Sequence, residues 1–258
     1  MLKDFFDGFQ HNFLGFNYFL KNKNLWKFAF IPLLINISLL FLLVSLYVGY
    51  FDVVFTSISK PIIGWDIKDP SNFLWTILDS ALWLVRGVIK IIFFILCLMI
   101  IFVLVYFISS IINSPFYEVL AEKVLIKHGL LSEEPFKFNL FLKSVLHSLK
   151  IEFSKIFLFV FVSLGLFVMS WVPIVGPLFS LLGILFTSWT FAMGLSTYPM
   201  VLKRASFNDV LGWSSQNKFR LIGFGLPAII PFFGLLIMNF QVVGGTLIYI
   251  KATSNKRS

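Results

Sequence analysis

The chain has 258 residues, of which 59% are apolar and only 13% carry a charge. A soluble domain is roughly 45–50% apolar and about 25% charged, because polar groups must cover its surface. The composition therefore excludes a soluble enzyme, a disordered protein and a disulfide scaffold, and the single cysteine, Cys97, cannot form an internal bridge. The net charge of +9 comes from cations that flank apolar runs, which indicates lipid headgroups rather than a nucleic acid as the partner.

Two long apolar stretches predict membrane-spanning helices. Residues 28–51 and 91–117 contain 24 and 27 residues, respectively, without a single charge. Both stretches exceed the roughly 20 residues that cross about 30 Å of hydrocarbon at 1.5 Å per residue. We therefore expect both to span the bilayer.

Two further apolar stretches are interrupted by proline and glycine. Residues 156–202 are broken at 173–177, and residues 221–250 are broken at 231–234. Proline removes a backbone donor and glycine permits a turn, so each stretch splits into two arms. The arms of the last stretch, about 10 and 16 residues, are too short to cross separately. For that stretch two interpretations remain: one kinked span, or a re-entrant hairpin.

The distribution of lysine and arginine favours hairpins. Cations are in excess in the N-terminal segment, in residues 118–155, in the loop 203–220 and in the C-terminal tail. Such segments lie on the cytoplasmic side of a membrane. Both interrupted stretches must then enter and leave on the same side. The sequence thus predicts an all-α integral membrane protein, a single domain over residues 1–258 with two long transmembrane helices and two partly penetrating helical hairpins.

The sequence contains no motif of the kind that catalysis or metal binding needs. No cysteine joins the three histidines at metal-ligand spacing, and there is no phosphate-binding glycine loop or nucleophile turn. We therefore expect no enzyme, no cofactor and no metal. What remains is the segment 22–27 before the first span, where Lys23 and Lys27 flank a helix start. A helix N-terminus beside cations suits sulfate or phosphate, although an ordinary capped helix with lysine anchors has the same pattern.

An ordered set of short motifs resembles one known family. Pro32-Leu33-Leu34-Ile35-Asn36 is similar to the Pro-Leu-Leu-x-Asn signature of the CysZ-like sulfate permeases, which share a superfamily with the eukaryotic etoposide-induced membrane proteins. The motifs that follow in the same order as in that family are Asn113-Ser114-Pro115-Phe116, Leu120-Ala121-Glu122, Val172-Pro173-Ile174-Val175-Gly176, Ser188-Trp189, Tyr198-Pro199 and Val243-Gly244-Gly245-Thr246.

The resemblance implies a function and a site. It implies uptake of sulfate or a related oxyanion across the bacterial inner membrane without ATP, feeding cysteine synthesis, by homo-oligomers with cytoplasmic termini. The family holds sulfate with backbone amides and arginines just before the signature helix. The corresponding residues here are Leu25, Trp26 and Lys27, with Trp26 at one basic position, Lys27 in place of arginine, and Lys23 one turn earlier.

Two further residues are candidates for the transport path. Glu122 and Asn36 are polar residues close to apolar stretches, where such groups must pair or line water. For Glu122 the alternative is a simple charge on a cytoplasmic helix. For the whole chain the alternatives are a non-transporting structural membrane protein of the same fold and a permease for another small solute.

The topology makes a labelling prediction. Cysteines placed at Ser206 and Ser254, in a chain whose Cys97 is replaced by serine, should not react with a membrane-impermeant thiol reagent applied to intact cells. The physical reason is the excess of cations beside both positions, which keeps them inside. Efficient labelling of either cysteine from outside would contradict the hairpin topology.

Overall fold

A computed structural model describes residues 1–63, 73–132, 138–230 and 233–254. All regular elements within these ranges are helical, and five helices are long and apolar enough to cross a membrane. The prediction of an all-α integral membrane protein is therefore confirmed. The helices, in chain order, are α1 Leu2–Lys21, α2 Trp26–Ile63, α3 Phe73–Lys127, α4 Phe138–Ser170, α5 Gly176–Ser196, α6 Tyr198–Leu202, α7 Phe207–Gln216, α8 Lys218–Gly225 and α9 Phe233–Ser254, with short 3₁₀ turns at Lys23–Leu25 and Leu226–Ile229.

The chain divides into two compact units. The larger unit contains residues 1–36 and 106–258, and the smaller unit contains residues 37–105. Within the smaller unit, Lys90 Nζ pairs with Asp52 at 2.7 Å, and the Tyr47 hydroxyl donates to the Phe94 carbonyl at 2.9 Å. The core of the larger unit is a cluster of buried side chains from five helices, which includes Leu125, Ala192, Trp213, Leu221, Phe224, Ile248 and Tyr249.

The break predicted at residues 173–177 is present. α4 ends at Ser170 and α5 begins at Gly176, and the two helices pack against each other as a hairpin. The connection turns at Ile174, whose φ of 72° lies in the left-handed region and whose side chain is 97% exposed. An exposed apolar side chain at a hairpin tip suits hydrocarbon better than water. This tip is therefore compatible with insertion into the bilayer.

One helix of each hairpin is longer than the arm that the sequence predicted. α4 has 33 residues because it continues through the polar residues before 156, and α9 has 22 because it continues past Ile250 to Ser254. The predicted limit of about 16 residues was therefore wrong for α9. The predicted break at 231–234 falls partly outside the described residues, which omit 231–232. The depth to which each hairpin enters the membrane stays a prediction.

α1, which the sequence did not predict as a helix, is docked on α8 and α9. Its buried residues recur at helical spacing on one face: Gly8, His11, Gly15 and Phe19. At Gly8 the backbones come so close that an added Cβ would lie 1.8 Å from the Arg220 carbonyl oxygen. This contact leaves no room for a side chain.

Ion pairs support the same docking. The Asp7 carboxylate of α1 lies 2.8 Å from Arg220 Nε of α8 and 2.5 Å from Lys251 Nζ of α9. Burial raises the pKa of Asp7, but the Lys251 hydrogen bond and the positive charges of Lys251 and Arg220 help to outweigh it and hold this pKa below its usual value. The carboxylate therefore stays ionised and ties three helices together.

A capping box begins α7 and affects the labelling prediction above. The Ser206 hydroxyl accepts from the Asp209 amide, and the Asp209 carboxylate accepts from the Ser206 amide at 2.9 Å. A cysteine at 206 would remove this cap. Asn208, which is exposed on the first turn of α7, is the better labelling position in the same loop.

The close approach of α1 and α8 gives a test of the fold. Gly8→Ala should destabilise the protein by roughly 1–3 kcal/mol, because the new methyl group must push the two backbones apart. Gly212→Ala is the matched control, since a Cβ at this helical position meets nothing within 4 Å. Thermal unfolding in detergent measures both. Equal melting temperatures for the two variants would contradict the proposed packing.

Candidate functional site

The junction between α1 and α2 is fixed by Asn22. Its Nδ2 donates to the Tyr18 carbonyl at 2.6 Å, and its own carbonyl accepts from the Leu25 amide at 2.9 Å. Its Oδ1 accepts a hydrogen bond from Lys127 Nζ of α3. The side chain and the backbone carbonyl of this one residue therefore hold the end of α1, the 3₁₀ turn and the end of α3 in a single arrangement.

A cavity of about 710 Å³ opens at this junction. No carboxylate is among the lining residues in the part of the chain that the structure describes. Ammonium groups gathered around one cavity raise the local positive potential, which favours an anion. The cationic cavity, as we call it, is lined by five lysines, Lys21, Lys23, Lys27, Lys123 and Lys127, together with Tyr18, Asn22, Asn24, Leu25, Phe28 and Ile126.

Tyr18 and Lys127 form an ordered wall of the cationic cavity. Lys127 Nζ lies 5.6 Å from the centre of the Tyr18 ring, and that ring stacks on His128 with a centroid separation of 5.6 Å. Burial raises the pKa of Tyr18, so its hydroxyl stays protonated and is a donor. This buried hydroxyl has no hydrogen-bond partner among the described residues. It is a donor for which the fold supplies no acceptor.

The structure brings three of the four predicted anion-binding residues to the cavity. Lys23, Leu25 and Lys27 line it, whereas Trp26 does not. The Trp26 indole N–H donates to the Phe19 carbonyl at 3.1 Å, and the two rings stack with planes 10° apart. The tryptophan at the family's basic position therefore packs on α1 and takes no part in lining the cavity.

The backbone amides that the resemblance implied as ligands are already bonded. The Leu25 amide donates to the Asn22 carbonyl, and the Trp26 amide donates to the Lys23 carbonyl, because residues 23–25 form a 3₁₀ turn. These two amides are therefore not free to donate to an anion in this conformation.

The two transport-path candidates lie elsewhere. Asn36 is buried, and its Nδ2 donates to the Leu235 carbonyl at 3.3 Å while its Oδ1 accepts from Asn113 Nδ2 at 2.6 Å. It thus holds α2, α3 and α9 together. Glu122 is half-buried on α3, beside Lys123 in sequence, and is not among the residues that line the cationic cavity.

Sequence reasoning missed much of the cavity. Lys21 and Tyr18 belong to a helix that was not predicted, and Lys123 and Lys127 come from α3, about 100 residues away in sequence. The available signal was the spacing of Lys123 and Lys127, which places both on one helix face.

Comparison with known proteins identifies the family. The profile of the family described as "Sulfate transporter CysZ/Etoposide-induced protein 2.4" matches residues 12–239. The chain belongs to this family. Nearly the whole chain is covered, so the resemblance seen in the short motifs is confirmed.

Three relatives of this CysZ/etoposide-induced family member are named "Sulfate transporter CysZ". The protein of Pseudomonas paraeruginosa is 28% identical over 235 residues, which cover 89% of each chain. The protein of Vibrio parahaemolyticus is 27% identical over 259 residues, covering 94% of this chain and 96% of the relative. That of Pseudomonas fluorescens is 30% identical over 148 residues, and this match spans only 59% of the relative's length. These names are those of transporters, so the prediction that the chain is not an enzyme is confirmed.

Proposed function

We propose that the chain carries sulfate, or a closely related oxyanion, across the bacterial inner membrane without ATP and supplies sulfur for cysteine synthesis. The observation that carries this proposal is the cationic cavity, where five lysines surround about 710 Å³ with no carboxylate among the described lining residues. The names of the curated relatives support sulfate as the anion.

The cavity supplies both charge and directed donors for a dianion. Lys23 and Lys27 flank the start of α2, and the Tyr18 hydroxyl has no partner among the described residues. Hydrogen bonds to charged groups contribute roughly 1.5–3 kcal/mol each. A few of them give dissociation constants in the millimolar to micromolar range, about −4 to −8 kcal/mol.

Lys27, which stands where the family has arginine, suits both the capture and the release of an oxyanion. Arginine holds an oxyanion with a planar, bidentate fork, whereas a lysine ammonium group acts as a mobile point charge. Because a permease must let go of its substrate, many weak point charges serve it better than a rigid clamp. Glu122 stays our candidate for the path beyond the cavity, and Asn36 is the residue that positions the helices beside it.

We also propose that both termini face the cytoplasm and that the chain assembles as a homo-oligomer of two or more copies. The excess of cations in the terminal segments supports this orientation. Cross-linking of the protein in native membranes would measure the number of copies.

Loss of one cavity lysine should weaken anion binding without unfolding the protein. Lys27→Gln should raise the dissociation constant for sulfate on the order of tenfold, because one charge-assisted hydrogen bond of roughly 1.5–3 kcal/mol is lost. Lys150→Gln is the matched control, since Lys150 is exposed on α4 and does not line the cavity. Calorimetric titration of sulfate into the purified protein measures both, and equal affinities would contradict the site.

Measuring the flux of sulfate across a membrane tests the proposed function directly. The purified protein in liposomes should take up radiolabelled sulfate without ATP, and unlabelled sulfate should compete while chloride should not. Binding without flux would favour a structural membrane protein that has kept an anion site. Flux of another solute that sulfate does not inhibit would favour a different permease.

A further inference from the structure

A second cavity, which we call the apolar groove, lies between α1 and the segment that leads from the second 3₁₀ turn into α9. Its volume of about 690 Å³ falls within the roughly 300–1,000 Å³ that small-molecule sites occupy. The groove shares no described lining residue with the cationic cavity. Its walls include Phe9, Phe13 and Phe16 of α1 and, on the facing side, Leu226, Ile237 and Phe240.

The phenylalanine side of the apolar groove is open to the surroundings of the protein. Phe13 is 60% exposed, and Phe9 and Phe16 are also exposed, although α1 as a whole is docked on α8 and α9. A continuous exposed apolar surface in an integral membrane protein is stable where it contacts hydrocarbon. The apolar groove is therefore accessible to the acyl chains of the bilayer.

Two amide side chains interrupt the apolar wall. Gln241 Nε2 donates to Asn12 Oδ1 at 2.9 Å and to the Phe224 carbonyl at 3.4 Å. Asn12 Nδ2 donates to the Phe224 and Phe9 carbonyls, each at 3.1 Å. These contacts fix the orientation of both amides, because a flip of either one would set oxygen against oxygen. The group that the network leaves over is an acceptor, Gln241 Oε1.

Gln241 Oε1 needs a donor from outside the described chain. Gln241 lines the apolar groove but is only 1% exposed, and its Oε1 has no hydrogen-bond partner among the described residues. A buried amide oxygen without a donor costs free energy, so it marks a position where a donor of a bound molecule is favourable. A molecule that fits has an apolar body and one hydrogen-bond donor.

The charge of the apolar groove selects the kind of donor. No charged side chain is among its lining residues in the described part of the chain. An ammonium or phosphate group would therefore lose its hydration without gaining a counter-charge. A carboxylate would set further acceptor oxygens against Gln241 Oε1. An uncharged hydroxyl group avoids both costs.

We propose that the apolar groove binds a neutral glyceride of the membrane, that is, an acyl ester of glycerol with a free hydroxyl group. The acyl chain lies along the phenylalanines of α1, and the hydroxyl donates to Gln241 Oε1. The chain enters from the bilayer, so it needs no path through water. This binding site does not depend on the transport of sulfate. A water molecule on Gln241 Oε1 and a second copy of the chain over α1 are the other occupants that the experiments must separate.

Photo-crosslinking tests where the lipid binds. The purified protein in lipid nanodiscs, with a monoacyl glycerol that carries a diazirine on its chain, should be labelled mainly on α1 and α9 at residues that line the apolar groove. Ile237→Trp, which fills the groove, should lose this labelling. Leu236→Trp is the matched control, because Leu236 is exposed on the same helix and does not line the groove. Labelling spread over all exposed helices, or labelling that survives Ile237→Trp, overturns the inference.

Competition tests the hydroxyl group. Unlabelled monodecanoyl glycerol should displace the probe, whereas its dimethyl ether, which has the same chain but no donor, should need an on the order of tenfold higher concentration. Gln241→Met, which removes the acceptor, should be displaced equally by both. This variant also loses the bond to Asn12, so the wild-type ratio decides alone if it does not fold. Equal competition in the wild type means that water satisfies Gln241 Oε1, and it overturns the inference.

Two further measurements exclude the remaining occupants. Phosphatidylglycerol, which carries glycerol hydroxyls beside a charged phosphate, should compete more weakly than monodecanoyl glycerol, and stronger competition would overturn the choice of a neutral lipid. Phe13→Cys, in a chain whose Cys97 is replaced by serine, should not form disulfide-linked dimers in native membranes. Efficient dimer formation would place a second copy over the apolar groove and contradict the proposal. Sulfate takes no part in these experiments, so their outcomes leave the proposed function unaffected.

Discussion

The docking of α1 onto α8 and α9 is the contact on which the cationic cavity depends. α1 brings Tyr18 and Lys21 to the cavity and ends at Asn22, which binds Lys127 of α3. Its large apolar side chains do not place it there, because Phe6, Phe9, Phe13 and Phe16 are exposed. Its position comes from backbone contact at glycines, where no side chain intervenes, and from the Asp7 carboxylate between two cations. Gly8→Ala should therefore disturb the anion site, although no atom of Gly8 lines it.

The sequence predicted those features that depend on single stretches of chain. Apolar length predicted α2 and α3, and the Pro-x-x-Gly segment predicted the reversal at Ile174, because each is a local property of the backbone or its solvent. α1 was missed because its buried face is made of Gly8, His11, Gly15 and Phe19, of which only Phe19 is strongly apolar. The burial of such residues follows from the shape of the partner helix, and that shape is absent from a one-dimensional pattern.

The candidate site likewise combines residues that the sequence predicted with residues that only the tertiary fold brings in. Lys23 and Lys27 were predicted because they adjoin a helix start, but Lys123 and Lys127 enter the cavity only through the tertiary fold. Glu152 and Lys155 were counted with the solvated cytoplasmic segment, since hydropathy treats each charge alone. In the structure the two charges neutralise each other, and Ser110 of another helix completes their hydrogen bonding. A pair at i and i+3 beside an apolar run was the only available sign.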